Sequence, residues 1–451
     1  MAAQTMPAAL AVFWSDEQVG TLFPTEPLSF SYSDAWLDKA RPTPLHPSLP
    51  MTRERLHGDY VHAFFENLLP EGDQRKLIAF RYKVSSVFGM LAAIGGDTAS
   101  AYVLLPEGQQ PTRPIYQRLS WEQVSALLHA SAANAKEREE IDRAAAGMPV
   151  PRISISGAQN KILLSVDAAG QPWRPMGTSP STHIAKPDMV RPDINVFASA
   201  ANEAIVMRAA RLCQLPTANV FYEPASKACV VERYDREKQP NGQLRRAWQA
   251  DFCQIAGKPS AVKYEFDGGP TFKECFDIAN QSVQPARDRL DLLRWLFFNL
   301  YVGNNDSHAK NLSLLMTDEG LRLAPFYDLM CTRVYSGLGP NFAFAIGGET
   351  DPGKMATAHL FALAADLGIK PAVLLRHAAD MAKRVSAAIA MAAAEIALNL
   401  NHSDKVHATR IVQKIESITK KMAARLAPVP GDGEADIEDP DAVAPDNKGP
   451  R

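Results

Sequence analysis

The stretch "GNNDSHAKNLSLL", Gly303 to Leu315, sets Asp306, His308, Lys310 and Asn311 close together ahead of an apolar run, with "LRWLFFNLYV" before it. Asp306 and Asn311 stand five positions apart, and a second carboxylate, Asp328 in "LAPFYDL", follows seventeen residues after Asn311. One carboxylate to accept or orient a hydroxyl proton, with an amide oxygen and a second carboxylate to hold Mg²⁺, equips a site to move a phosphoryl group from a nucleotide to an alcohol. A polar run between segments built for burial makes sense if its side chains are partnered by phosphate, metal and a substrate hydroxyl.

The Asp306/Asn311 spacing is that of the catalytic Asp and metal-binding Asn in the protein-kinase motif H-R-D-L-x-x-x-N, and Asp328 stands where the D-F-G Asp would by analogy. Upstream, "SISGAQNKILLSV" reads as a strand, a tight turn at Gly157-Ala158 and a second strand, a hairpin whose backbone N–H groups can cover phosphates. Lys186, in the strand "THIAKP", has the place of the kinase Lys that contacts nucleotide phosphates, and Glu203, on the predicted helix seventeen residues on, is its candidate partner. Glu232 and Tyr234, in "VVERYDR", fall where a hinge between two lobes would read an adenine edge. Singly, each has an ordinary alternative: a turn-capping Asp, a surface Lys before Pro, a solvated helix Glu, or an Arg233–Asp235 salt bridge at a strand end.

The elements that must position these residues follow from periodicity. "LAVFW", "EQVGTL" and "LSFSY" read as short strands of a β-rich N-terminal module. "DYVHAFFENLLPEGDQRKLIAFRYKV" reads as two helices broken at Leu69-Pro70-Glu71-Gly72, and "RLSWEQVSALLHASAANAKEREEIDRAAAG" as one further helix opened by Ser120 with Glu122 in its first turn. From Arg152 strands return, with a turn at Asp167 to Gly170. A helix over "FASAANEAIVMRAARLCQL", a strand pair at "NVFYE" and "ACVVERYD", a helix over "LDLLRWLFFNLYVG" and helices from Pro371 to Arg425 complete the pattern. The divisions are 1–110, a β-rich, partner-contacting subdomain; 111–235, a region like a kinase N-lobe; 236–426, an α-rich lobe carrying the catalytic loop; and 427–451, an acidic tail expected to be disordered.

The 451 residues carry 48 basic and 50 acidic side chains, a formal charge of −2, which argues against a surface built mainly to neutralise nucleic-acid phosphates. The five cysteines stand far apart with no C-x-x-C pair, which suggests neither a zinc site nor a disulfide framework. The N-terminus lacks the basic region of a secretory signal, and "SAAIAMAAAEIALNL" carries Glu395 and reads as a packed helix. A cytoplasmic protein without a membrane span is the expectation.

Taken in order, "RISISGAQNKILL", "THIAKP", "VERYDR", "WQADFCQIAGKPSAVKYEFDGGP", "GNNDSHAKNLSLL" and "LAPFYDL" resemble the HipA family of serine/threonine-kinase toxins from bacterial toxin–antitoxin systems. The resemblance extends from the N-terminal strands to about Arg425 and leaves only the tail outside. It implies a two-lobed α/β (α+β) fold like that of protein kinases, with a β-rich N-terminal and an all-α C-terminal subdomain. It also implies ATP and Mg²⁺ as cofactors and a protein substrate, with an aminoacyl-tRNA synthetase, glutamyl-tRNA synthetase first, as the target whose loss favours dormancy. A HipB-like helix-turn-helix antitoxin would restrain the enzyme and carry most of the contact with operator DNA.

Carried over by position, Asp306 is the catalytic aspartate, Asn311 and Asp328 are the Mg²⁺ ligands and Lys186 meets the phosphates. Ser156, Gly157 and Ala158 belong to the phosphate loop, Glu232 and Tyr234 to the hinge and Gln249 to the nucleotide pocket. His308 and Lys310 are phosphate or loop-ordering contacts. Ser154 aligns with the serine that family members autophosphorylate, and Ser156 is the alternative. Gln249-Ala250-Asp251 stands where the family often has Gln-Glu-Asp, and Asn160 replaces a residue commonly acidic or Pro. Two other readings remain open: a co-repressor that acts mainly by binding, and a small-molecule kinase on the same lobes.

Overall fold

A computed structural model describes residues 6–40, 42–129, 134–152 and 159–427. Strands β1 (Leu10–Trp14), β2 (Glu17–Phe23) and β3 (Ser29–Tyr32) form where the alternation places them. Helix α1 (Asp34–Leu37) is capped by the Ser33 side chain, and β4 (Leu56–His57) follows. The expected helix pair is α2 (Asp59–Glu66) and α3 (Gly72–Tyr82), and α4 (Val87–Ile94) comes next. With β5 (Tyr102–Pro106) the strands form an antiparallel sheet in the order β4-β3-β2-β1-β5. Phe64 and Phe65 of α2 and Leu91 of α4 pack in one core with Leu10, Val12, Leu22 and Phe30 of this sheet, whereas α3 buries no residue.

Strand β6 (Ile115–Arg118) leaves that sheet and joins a second one. The segment after it is two helices rather than the single one expected: α5 (Trp121–Leu128) and α6 (Ala135–Ala144). Ser120 opens α5, and its capping-box partner is Gln123 rather than Glu122. Packing explains the break. Leu128 and Ile141 both enter one small core with Leu164, Ala185 and Val230, and a straight helix would set them about 20 Å apart along its axis.

The second sheet comprises β7 (Ile162–Val166), β8 (Pro172–Met176), β9 (His183–Pro187), β10 (Val220–Glu223) and β11 (Ala228–Glu232), ordered β10-β11-β9-β7-β8-β6. Side chains of β11 alternate. Ala228 and Val230 face the small core, while Cys229 and Val231 join the main core that α7 (Ser199–Leu212) enters. Lys186 pairs in register with Cys229, which sets it on the α7 side of the sheet.

A hairpin of β12 (Arg236–Lys238) and β13 (Leu244–Arg246) leads into β14 (Gln249–Asp251) and α8 (Phe252–Ile255). Helices α9 (Phe272–Ile278) and α10 (Pro285–Val302) follow, then β15 (Ser313–Thr317) and β16 (Gly320–Leu323), which complete a small sheet β14-β15-β16. Helix α10 ends at Gly303, with φ +73°, where any Cβ would lie 2.6 Å from Ile418 Cδ1. Glycine thus allows both the left-handed turn and the close packing that start the loop carrying Asp306 and Asn311. Helices α11 (Thr357–Leu367), α12 (Pro371–Ala397) and α13 (His402–Leu426) close the C-terminal part; α12 and α13 pack on α7 and α10, and α11 packs on α12, α13 and α9.

The architecture is the mixed, two-lobed α/β (α+β) fold expected, with a β-rich N-terminal subdomain and an all-helical C-terminal one. Among the described residues no single helix is long and apolar enough to cross a membrane. The Gly157-Ala158 turn, Ser154, Ser156 and the tail from 428 onward lie outside the described residues.

Candidate active site

Between the second sheet and the α10–β15 loop lies a cleft of about 370 Å³, lined by Lys186, Glu232, Tyr234, Gln249, Asp306, His308, Asn311 and Asp328 among others. Its cationic anchor comes from β9. The Lys186 ammonium donates to Glu203 Oε1 at 2.7 Å and to Asp328 Oδ1 at 2.8 Å. Burial opposes its charge, but Asp328 and Glu203 override that and hold it well above the usual lysine range. Asp328 is likewise held well below the usual aspartate range, burial being outweighed by Lys186, while burial and Asp328 raise Glu203.

The backbone delivers Asp328 to this point. Beyond β16 the chain exchanges hydrogen bonds with the segment ahead of β10, Phe326 N–H to Pro216 O at 2.7 Å and Ala218 N–H to Phe326 O at 2.9 Å. Asp328 itself takes the left-handed conformation, φ +59°, which a non-glycine residue adopts only when its surroundings fix it.

Asp306 leaves 53 % of its side-chain surface open and takes a hydrogen bond from the Tyr264 hydroxyl on Oδ1. Enclosure in the cleft raises its carboxyl above the usual aspartate range, with Asp328 and Glu71 adding to the effect; the Tyr264 hydroxyl and Lys263 work the other way. Asn311 donates its Nδ2 to the Asp306 carbonyl at 2.9 Å. Among the described residues its Oδ1 receives no hydrogen bond, and that oxygen remains for a ligand.

His308 is buried, its Nε2 3.9 Å from Asp306 Oδ1 and its ring edge-on to Tyr264 at 5.1 Å. Burial, then the Lys263 charge, push it well below the usual histidine range, so the ring is neutral. Lys310 is spent inside the protein: its ammonium donates to Asn67 Oδ1 at 2.7 Å and Asp251 Oδ2 at 2.9 Å. Of the two roles the sequence left open for Lys310, this geometry favours loop ordering over phosphate contact.

At the opposite wall Tyr234 donates to Gln249 Oε1 at 2.7 Å, and Gln249 Nε2 donates to the Ala99 carbonyl at 2.8 Å. Glu232 is exposed and bonded to Asn219 Nδ2 at 2.7 Å. The Arg233–Asp235 pair also forms, at 2.7 Å, but deep in the protein. The salt-bridge reading of "VERYDR" is thus observed, and the segment from Val231 to Asp235 also lines the cleft.

Residues 153–389 match the HipA-like C-terminal domain and residues 10–123 the HipA N-terminal domain. The chain belongs to the HipA family. It is 30 % identical over 372 residues to the serine/threonine-protein kinase toxin HipA of Shewanella oneidensis, covering 77 % of this chain and 80 % of that protein. It is 36 % identical over 391 residues to the Sinorhizobium fredii protein Y4mE, covering 84 % and 91 %. The solved structure of the Shewanella HipA with HipB and operator DNA superposes with a TM-score of 0.73 at 28 % identity, over 92 % of this chain and 96 % of that one. As a HipA-family member the chain is a kinase-type phosphotransferase.

In and around the cleft stand further residues to which the sequence gave no role. Lys161 lines the cleft, pushed down to about 8 by burial and the Lys186 charge. Tyr264 holds Asp306, and Lys263 pairs with Glu71 at 2.8 Å. Asp97 lies behind the hinge, buried against Arg236 at 2.9 Å, Arg246 at 3.4 Å and Arg233 at 3.6 Å. Lys161, Lys263 and Tyr264 sit inside stretches that carry the resemblance and Asp97 lies within its span, yet none has a spacing that marks it, since the partners of Tyr264, Lys263 and Asp97 lie tens to hundreds of residues away.

Proposed function

We propose that the chain is an ATP- and Mg²⁺-dependent serine/threonine protein kinase acting as the toxin of a toxin–antitoxin pair. The observation that carries this is the Lys186 ammonium held between Glu203 and Asp328, across the cleft from Asp306 and Asn311. A cleft of about 370 Å³ suits a nucleotide. Asn311 commits its nitrogen to Asp306 and Asp328 commits Oδ1 to Lys186, so each keeps an oxygen for a hard cation. Bound Mg²⁺ would neutralise charge on the phosphate oxygens during transfer.

The residues present do the rest. Lys186 binds the α- and β-phosphates, and Lys161 adds a second cation at the same end. Tyr234, Gln249 and the hinge backbone at Glu232 hold the base. Asp306 orients the acceptor Ser or Thr hydroxyl and accepts its proton as the new O–P bond forms and the bond from the γ-phosphorus to the bridging oxygen of ADP breaks. Neutral His308 packs beneath it and Lys310 keeps the loop in register with Asp251.

Regulation follows the family pattern in this proposal. Phosphorylation of Ser154, or of Ser156, would set about two negative charges beside those of the nucleotide, and repulsion would switch the enzyme off. A HipB-like antitoxin would restrain the chain and carry it to operator DNA, supported by the relative solved with HipB and operator DNA. The target is an aminoacyl-tRNA synthetase, glutamyl-tRNA synthetase first. The test is expression without a partner, with phosphosite mapping. Growth arrest with phosphate on Ser154 or Ser156, both lost in Asp306→Gln, is expected; unchanged arrest and phosphorylation in that variant would overturn the proposal.

A further inference from the structure

Phe266 is 60 % exposed, and a lone surface phenylalanine ordinarily needs no explanation. This one differs in where it is held. Its ring stacks on Tyr264, centroids 5.2 Å apart and planes 14° from parallel, and the Tyr264 hydroxyl is hydrogen-bonded to Asp306 Oδ1. The aromatic pair therefore begins at the catalytic carboxylate and runs outward to solvent. Tyr264 takes one position on Oδ1 and leaves Oδ2 open, so an acceptor hydroxyl that reaches this carboxylate arrives beside the aromatic pair.

The turn carrying the pair is rigid. Glu265 is tied at both ends of its residue, N–H to the Ala343 carbonyl at 3.2 Å and Oε2 from the Ala345 N–H at 3.0 Å. Gly269 N–H closes onto the Tyr264 carbonyl at 2.9 Å, and a Cβ at Gly269 would lie 2.6 Å from the Val262 carbonyl and 2.7 Å from that of Tyr264. These hydrogen bonds on either side of Phe266 fix the turn with the ring at the surface.

We propose that the stacked Tyr264–Phe266 pair is the docking platform for the acceptor polypeptide, with Phe266 receiving an apolar side chain that flanks the phosphorylated Ser or Thr. The inference rests on the kinase reading above and names how that site chooses its substrate. An apolar flank is favoured because Phe266 turns an uncharged ring, 60 % exposed, to solvent, and the Lys263 ammonium near the stack is already paired with Glu71.

The test uses the full chain with ATP, Mg²⁺ and a positional-scanning library of Ser/Thr peptides. Apolar residues at one position beside the acceptor should be favoured about tenfold. Phe266→Ala should remove that preference and raise KM for the best peptide about tenfold, while ATP hydrolysis without peptide and KM for ATP stay as in the parent; Phe266→Leu should keep most of the preference. A preference for basic residues, a preference unchanged in Phe266→Ala, or a chain that hydrolyses ATP and modifies no peptide would overturn the platform. A parent chain that turns over no ATP would overturn the kinase reading and the platform with it.

Discussion

Lys186 and Glu203, one on β9 and the other on α7, meet at 2.7 Å with almost no solvent around them. The same ammonium reaches Asp328 at 2.8 Å, so sheet, helix and the segment after β16 converge on one charge. Removing a single partner of a buried pair costs about 3–5 kcal/mol because the remaining charge is stranded. Glu203→Ala should fall toward the low end of that range, since Lys186 keeps Asp328. Urea unfolding gives the loss directly, and a change below about 0.5 kcal/mol would mean that the pair is not formed in solution.

Lys310 and Asp251 tie the Asp306 loop to the start of α8, and Asn67 ties Lys310 to the end of α2. Lys310→Met should destabilise the chain by about 3–5 kcal/mol, and Lys310→Met with Asp251→Leu should recover a large part of that, as expected when a buried pair is replaced by apolar groups. A double variant as unstable as the sum of its singles would contradict the pairing.

Asp97 makes the same argument for the hinge. Its buried carboxylate takes the Ser181 N–H at 2.9 Å and hydroxyl at 2.7 Å and faces the guanidinium groups of Arg233, Arg236 and Arg246. Burial opposes its charge, but the three guanidiniums together hold the carboxyl well below the usual range. Asp97→Asn strands positive charge behind Tyr234 and Gln249, so a lower thermal midpoint should come with weaker ATP binding. Normal stability in that variant would rule out the network as the support of the hinge.

His46 sets an acid limit on stability. Its ring is buried between Gln254 O, at 2.8 Å from Nε2, and the Ser48 N–H, at 2.9 Å from Nδ1, and burial pushes it down to about 4 from 6.5. Between those values the unfolded chain binds a proton that the folded chain refuses. Stability therefore falls as pH drops from about 6.5 to about 4, by roughly 3 kcal/mol if this group acts alone. Unfolding free energies measured across that range should show the slope, and His46→Gln should flatten it.

The parts of this molecule that the sequence made legible are those whose partners are near in sequence or whose period is strong. Strands β1 to β3, helices α7 and α10 and the Asp306, Asn311 and Asp328 spacing are of this kind. The segment after Ser120 reads locally as one helix but folds as two, because its break serves a core supplied by Leu164, Ala185 and Val230 from a sheet that no local pattern reveals. Tyr264, Lys161 and Asp97 were invisible as site residues for the same reason: their meaning lies in contacts across 42 residues for Tyr264 and Asp306 and 139 for Asp97 and Arg236. Lys310 shows the converse, a residue in the right motif whose charge the fold spends on structure.

The proposed role of Asp306 in handling the acceptor proton is measured directly by turnover of γ-labelled ATP by the full chain against Asp306→Asn, with ATP affinity measured alongside. A loss of about 10²- to 10⁴-fold in transfer rate, with affinity for ATP changed less than about threefold, is the predicted result. An Asp306→Asn enzyme that transfers phosphate at the parent rate would contradict it.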